Sequence, residues 1–108
     1  MIWAKVTLRK EGFHYWKNAY EEVDFLKNKH RHVFQIVVMV EQRHNERDIE
    51  YIMFKHLLEK SISEINGPES CETIATNIME LVQKVYPGRR VRVEVTEDGE
   101  NGAIVDEQ

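Results

Sequence analysis

The sequence predicts an α+β domain in the order β-β-α-α-β-β: an antiparallel four-stranded sheet with two helices on one face. Three observations carry this. Residues 2 to 41 hold two runs of strand character, one alternating at Ile2, Ala4, Val6 and Leu8, the other apolar almost throughout from Val33 to Val40. From Asp48 to Val85 the apolar residues recur at spacings of three and four, the period of a helix. From Val91 onward the alternation returns, broken by Asp98-Gly99 and Asn101-Gly102, which are hairpin signals.

Each element has its own warrant. In the first strand Lys5, Thr7 and Arg9 alternate with the apolar residues, giving one wet face, and Glu11-Gly12 is expected to interrupt it as a bulge or bend. Lys17 to Lys29 is polar and reads as an irregular loop with room for one helical turn. The second strand, about 31 to 41, is apolar on both faces, so it is expected to be central. Asp48 is the expected N-cap of the first helix, whose buried side would run Ile49, Ile52, Met53, Leu57, Leu58, Ile62 and Ile65. Asn66-Gly67-Pro68 is its stop. Ser70 is expected to cap a second helix that buries Ile74, Ala75, Ile78, Leu81, Val82 and Val85 and ends at Pro87-Gly88. Val91, Val93 and Val95 make a third strand, and Ala103-Ile104-Val105 a short fourth.

The bulk properties fit one domain, residues 1–108, with no repeat or linker. Hydrophobic residues at 42% give enough apolar surface for a core, and a net charge of −4 argues against a nucleic-acid binder. The longest apolar run, Ile36 to Val40, is too short to span a membrane. A single cysteine, Cys71, excludes an internal disulfide and suits a reducing compartment, so a cytoplasmic protein is expected.

The chemistry concentrates around His30-Arg31-His32 at the head of the second strand. Side chains at i and i+2 of a strand leave the same face, so the two imidazoles stand side by side. His14, at the end of the first strand, is the natural third ligand, because antiparallel pairing brings it beside them. Three imidazoles would hold a metal and leave a fourth tetrahedral position open, the arrangement of a catalytic rather than a structural zinc. By the same alternation Arg31 is expected on the opposite face. His44 and His56 read as surface histidines, in a turn and on the first helix. Glu97, closing the third strand, is either an exposed carboxylate or an anchor that accepts a pair of hydrogen bonds from the N–H edge of a pterin or guanine. Cys71 and Glu72 open the second helix, where a carboxylate suits the macrodipole. Glu21, Glu22 and Asp24 precede the histidine pair and lie within reach of a metal-bound substrate.

Taken together, the chain resembles the 6-pyruvoyl-tetrahydropterin synthase and 6-carboxy-tetrahydropterin synthase family of the tunnelling-fold (T-fold) superfamily. The resemblance rests on His14 after the first strand, His30-Arg31-His32 opening the second, Ser70-Cys71-Glu72 starting the second helix, and Thr96-Glu97 ending the third strand. It covers nearly the whole chain. It implies zinc held by His14, His30 and His32. It also implies a pterin-like or purine-like ligand anchored by Glu97 and Thr96, with help from Ser70, Cys71 and Glu72, and homo-oligomers (trimers or hexamers) in which the sheets close into a barrel. The implied activity is lyase-type chemistry on a dihydroneopterin-triphosphate-like substrate. The chain departs from the family pattern in three places. Arg31 replaces a glycine, the cysteine before the histidine pair is missing, and so is the Asp-His after the first helix. Some family members use a glutamate for that cysteine, which makes Glu22 and Asp24 the candidate bases. The alternative is an inactive T-fold protein that keeps metal or ligand binding as a binding or assembly module.

Overall fold

A computed structural model describes residues 1–107. Two long strands, β1 (Ile2–His14) and β2 (His30–Gln42), pair antiparallel over their whole length, from Ile2 opposite Gln42 to His14 opposite His30. Thirteen residues at about 3.3 Å each make a ribbon that accounts for most of the 50 Å long axis. Three further strands are β3 (Asn66–Gly67), β4 (Val91–Glu97) and β5 (Asn101–Glu107). The sheet order is β3-β1-β2-β4-β5, so β2 is central, as its two-sided apolar pattern requires.

The α+β layering and the four antiparallel strands are present, but the sheet is five-stranded and mixed. The additional strand, β3, runs parallel to the end of β1. The reason lies in the helix before it. The helix α1 (Tyr51–Ser61) stops at Ser61, several residues short of the expected Asn-Gly-Pro stop, and the freed loop returns along β1. There Ile65 packs onto Gly12, where an added Cβ would sit 2.7 Å from the Ile65 Cβ and 2.9 Å from its carbonyl oxygen. Gly12 therefore does not interrupt β1, which continues to His14. It is a glycine because another backbone crosses it.

The start of α1 also differs from expectation. Glu50, not Asp48, is the N-cap, accepting from the N–H groups of Ile52 and Met53. Asp48 is occupied elsewhere, holding Arg89 and the Arg43 N–H. The buried side of α1 is Phe54 and Leu58, while Ile52 and Met53 face outward; Ile49 and Ile65 are buried from the flanking loops. The second helix, α2 (Cys71–Val85), begins at Ser70 as expected, with the Ser70 hydroxyl accepting from the Thr73 N–H. Its buried residues are Cys71, Ile74, Ala75, Ile78, Met79 and Val82, whereas Val85 is exposed. The segment after β1 contains a 3₁₀ helix, Glu21–Lys27, that buries none of its residues.

Both helices lie on the sheet face formed by Ala4, Val6 and Leu8 of β1, Phe34, Ile36, Val38 and Val40 of β2, and Val91, Val93 and Val95 of β4, joined in one core. Burying Phe54 and Leu58 against it stabilises α1 by roughly 1.5–3 kcal/mol each. Among the described residues, no helix is long and apolar enough to cross a membrane.

Candidate metal centre

The site is the polar continuation of the core face. Period-two alternation that buries Phe34, Ile36 and Val38 of β2 sends His32 and His30 out of the same face. The row Ala4-Val6-Leu8 of β1 leads in the same way to Gly12 and His14, and Val91-Val93-Val95 of β4 leads to Glu97. Register does the rest. His14 stands directly opposite His30, and Gly12, with Ile65 packed over it, stands opposite His32. Glu97 pairs with Phe34, one row further in.

The three rings meet edge to face, with centroids 4.7, 5.1 and 5.0 Å apart, and Phe34 packs steeply inclined against His14 and His32 as an apolar floor. One ligating atom from each of His14, His30 and His32 lies within 4.8 Å of the others, so the cluster can hold a metal ion. His14 is buried, at 8% exposure.

Each ring is fixed from behind. The Nδ1 of His14 donates to the Glu69 carbonyl at 2.9 Å, and the Nδ1 of His30 to the Asn28 carbonyl at 2.8 Å. The Nδ1 of His32 lies 2.7 Å from Asp98 Oδ2. A carbonyl can only accept, so Nδ1 of His14 and His30 carries the proton and Nε2 of the neutral ring presents a lone pair. Orientation of ligating imidazoles by such outer partners is the usual support of a metal site. Asp98 is itself held tightly: Val33 N–H donates to its Oδ1 at 2.9 Å, and its own N–H donates to the Val33 carbonyl. The Val33 bond, followed by the His32 bond, keeps its carboxyl below the usual aspartate range.

On the other side of the rings is a carboxylate. Glu97 Oε1 lies 3.5 Å from His14 Nε2, and Oε2 lies 3.2 Å from His32 Nε2. The second contact is close but misaligned for a hydrogen bond, and His32 Nε2 is shut off from solvent without a hydrogen-bond partner. An unsatisfied buried polar atom costs about 1–3 kcal/mol. Lone pairs of neutral imidazoles facing a carboxylate oxygen repel, and a cation between them removes the conflict. Imidazole nitrogen and carboxylate oxygen are donors that suit zinc. The residues present therefore fit a metal.

Beside the cluster opens a cleft of about 520 Å³ lined by His14, His30 and Glu97, by Trp16 and Leu26, and by Glu69 to Glu72 at the head of α2. Ser70, Cys71 and Glu72 thus stand at the cleft. Thr96 does not: it points to the opposite face of β4, and its Oγ1 is buried without a partner. Glu22 and Asp24 are also outside the cleft lining, exposed on the 3₁₀ helix, with Asp24 paired to Lys27 at 2.6 Å. Arg31 leaves the opposite face, where its Nε donates to Glu11 at 2.7 Å. His44 and His56 are exposed and distant in the fold from the cluster. The Cys71 thiol lies 3.8 Å from Glu97 Oε1, and burial, reinforced by Glu97 and Glu72, pushes it up to about 12.

Sequence reasoning missed Asp98 and Glu69. Asp98 read only as a turn residue, and strand alternation would send it away from His32. Its left-handed backbone (φ 55°), followed by Gly99 (φ 75°), turns the carboxylate back toward β2. Fold and site together define an α+β protein with a three-histidine cluster, able to hold a metal, at one end of its sheet. Compared with known proteins, the chain matches no family model and no curated protein.

Proposed function

We propose that this protein is a divergent T-fold protein of the 6-pyruvoyl-tetrahydropterin synthase type. On this reading His14, His30 and His32 hold one zinc ion through Nε2, and a pterin-like or purine-like ring binds in the adjacent cleft. One observation carries it: three imidazoles are pinned through Nδ1, one ligating atom of each lies within 4.8 Å of the others, and a carboxylate faces Nε2 of His14 and His32. Bound zinc would polarise a ligand oxygen and acidify the neighbouring C–H. Trp16 and Leu26 supply apolar surface for a flat ring, and Ser70, Cys71 and Glu72 supply polar groups at its rim.

Binding without turnover is the form the cleft favours. Glu22 and Asp24 do not line it, and a thiol at about 12 stays protonated near neutral pH, so neither supplies a base. The second reading, lyase-type turnover of a dihydroneopterin-triphosphate-like substrate, draws support from Glu69 and Glu72. Both line the cleft, and Glu69 Oε2 is buried without a partner.

Assembly fits the same reading. Among the described residues, the outer edge of β1 is unpaired except at Phe13 and His14, and β5 pairs only with β4. Two long open edges invite pairing between copies, as in a barrel built from a trimer or hexamer.

Protein purified without a histidine tag should contain about one zinc per chain by elemental analysis, falling to background in His14→Ala. Neopterin should then bind the zinc form, followed by quenching of its fluorescence. Metal-free wild-type protein, grown with ample zinc, would overturn the reading. Conversion of dihydroneopterin triphosphate would move the conclusion to the lyase.

A further inference from the structure

The resemblance assigns Glu97 to the ring ligand, yet both of its oxygens face imidazole nitrogens. We propose that Glu97 is the fourth protein donor to the metal when the cleft is empty, and that a ring ligand binds by drawing this carboxylate off the metal. The inference rests on the zinc reading above and specifies the resting state of that site.

Geometry is the first argument. Ligands at about 2.0–2.1 Å from a tetrahedral zinc stand about 3.3 Å from one another along the tetrahedron's edges. Glu97 Oε2 is 3.2 Å from His32 Nε2, and Oε1 is 3.5 Å from His14 Nε2. Each of its two oxygens thus sits near ligand spacing from one imidazole, so that a small turn of the carboxylate brings one oxygen into the fourth position.

Charge is the second. Among the described residues, the ion-pair contacts of Glu97 are to His14 and His32 only; no lysine or arginine reaches it. Its one hydrogen-bond donor is the Cys71 thiol at 3.8 Å, a weak donor. The carboxylate thus has no permanently charged partner, and an imidazole that turns its lone pair to it has no partner there either.

Mobility is the third. The Glu97 side chain is 33% exposed and lines the cleft, so it has open space to swing into. A ring presenting two parallel N–H groups would offer it better partners than the thiol, and its departure would free a metal position for a ligand oxygen.

The test uses the full-length protein with cobalt(II) in place of zinc, because cobalt absorption reports coordination number directly. Wild-type protein should show the intense visible bands of a four-coordinate site, and saturating neopterin should shift them. Glu97→Gln should bind zinc at least about tenfold more weakly in competition with a chromogenic chelator, with altered cobalt bands in the empty protein. Glu97→Asp keeps the charge but loses a methylene of reach. It should show the same direction of change, and it serves if the amide disturbs folding. Unchanged zinc affinity and cobalt bands in both variants would overturn the proposal and leave Glu97 as a ring anchor alone. Wild-type protein that takes up neither metal would instead remove the zinc reading.

Discussion

The two ends of the long sheet hold similar inventories of charge and treat them in opposite ways. At the end where Ile2 meets Gln42, the close carboxylates are partnered by arginine side chains or by backbone N–H groups. Asp48 receives the Arg89 guanidinium and the Arg43 N–H, Glu41 receives the Arg90 N–H, and Asp106 receives the Arg90 side chain. At the end where His14 meets His30, Glu97 faces two of the three clustered imidazoles, and among the described residues no arginine or lysine pairs with it. The first end is finished by the chain itself. The second is arranged as though a cation were to come from outside, and that contrast argues for a metal better than the count of histidines does.

The contrast is sharpest at Asp98, which looks like the paired carboxylates of the other end but serves the histidines. It holds His32 through Nδ1 and is locked to Val33 by two hydrogen bonds. Asp98→Asn keeps an oxygen for Val33 and tolerates the left-handed backbone, so the turn should survive. Loss of the charged partner of His32 should weaken zinc binding about 10–100-fold, read by chelator competition, with little change in melting temperature. Equal affinity in the two proteins would reduce Asp98 to a turn residue.

At the finished end the same kind of substitution should act on stability and leave the metal alone. The Asp48 and Arg89 side chains are only 11% and 13% exposed, and the Arg89 hydrogen bond, then the Arg43 N–H, lower the Asp48 carboxyl from 3.8 to about 2. A lowered folded-state value means that its stabilisation is complete above the ordinary value and is lost as pH falls from about 4 toward 2. Asp98 and Asp106 are lowered as well and act in the same direction. Asp48→Asn should therefore lower the melting temperature by several degrees at neutral pH and flatten, without abolishing, the acid limb of the stability curve. Zinc affinity at neutral pH should not move. A matching loss of metal would mean that the two ends are coupled through the hairpin.

How far each end was legible in the sequence follows from the same physics. The convergence of His14, His30 and His32 is written in the strand period and the antiparallel pairing, both of which alternation exposes. Glu97 follows from the Val91-Val93-Val95 row, but its nearness to the imidazoles depends on the β2–β4 register, which no local pattern encodes. Asp98 needed the sign of one φ angle. The strand at Asn66–Gly67 needed the knowledge that Ile65 crosses Gly12, a contact between residues 53 positions apart. At α1, Ile49, Ile62 and Ile65 fit the helical period, but they lie in the flanking segments rather than in the helix. Apolar spacing alone therefore overran both ends.

The smallest expected effect tests which groups of the cleft can react at all. Cys71 lies at the head of α2, where a helix N-terminus ordinarily favours a thiolate, and beside a candidate metal, where a thiol would also be expected to ionise. Here it is 5% exposed, and burial together with Glu97 and Glu72 outweighs the helix terminus and pushes the thiol up to about 12. Folded protein should thus react negligibly with iodoacetamide between pH 7 and pH 9 (a window chosen to bracket about 8.5, the ordinary thiol value) and promptly once denaturant is added. Fast labelling of the folded protein would place a thiolate in the cleft, supply the base that Glu22 and Asp24 do not, and shift the balance from ligand binding toward lyase chemistry.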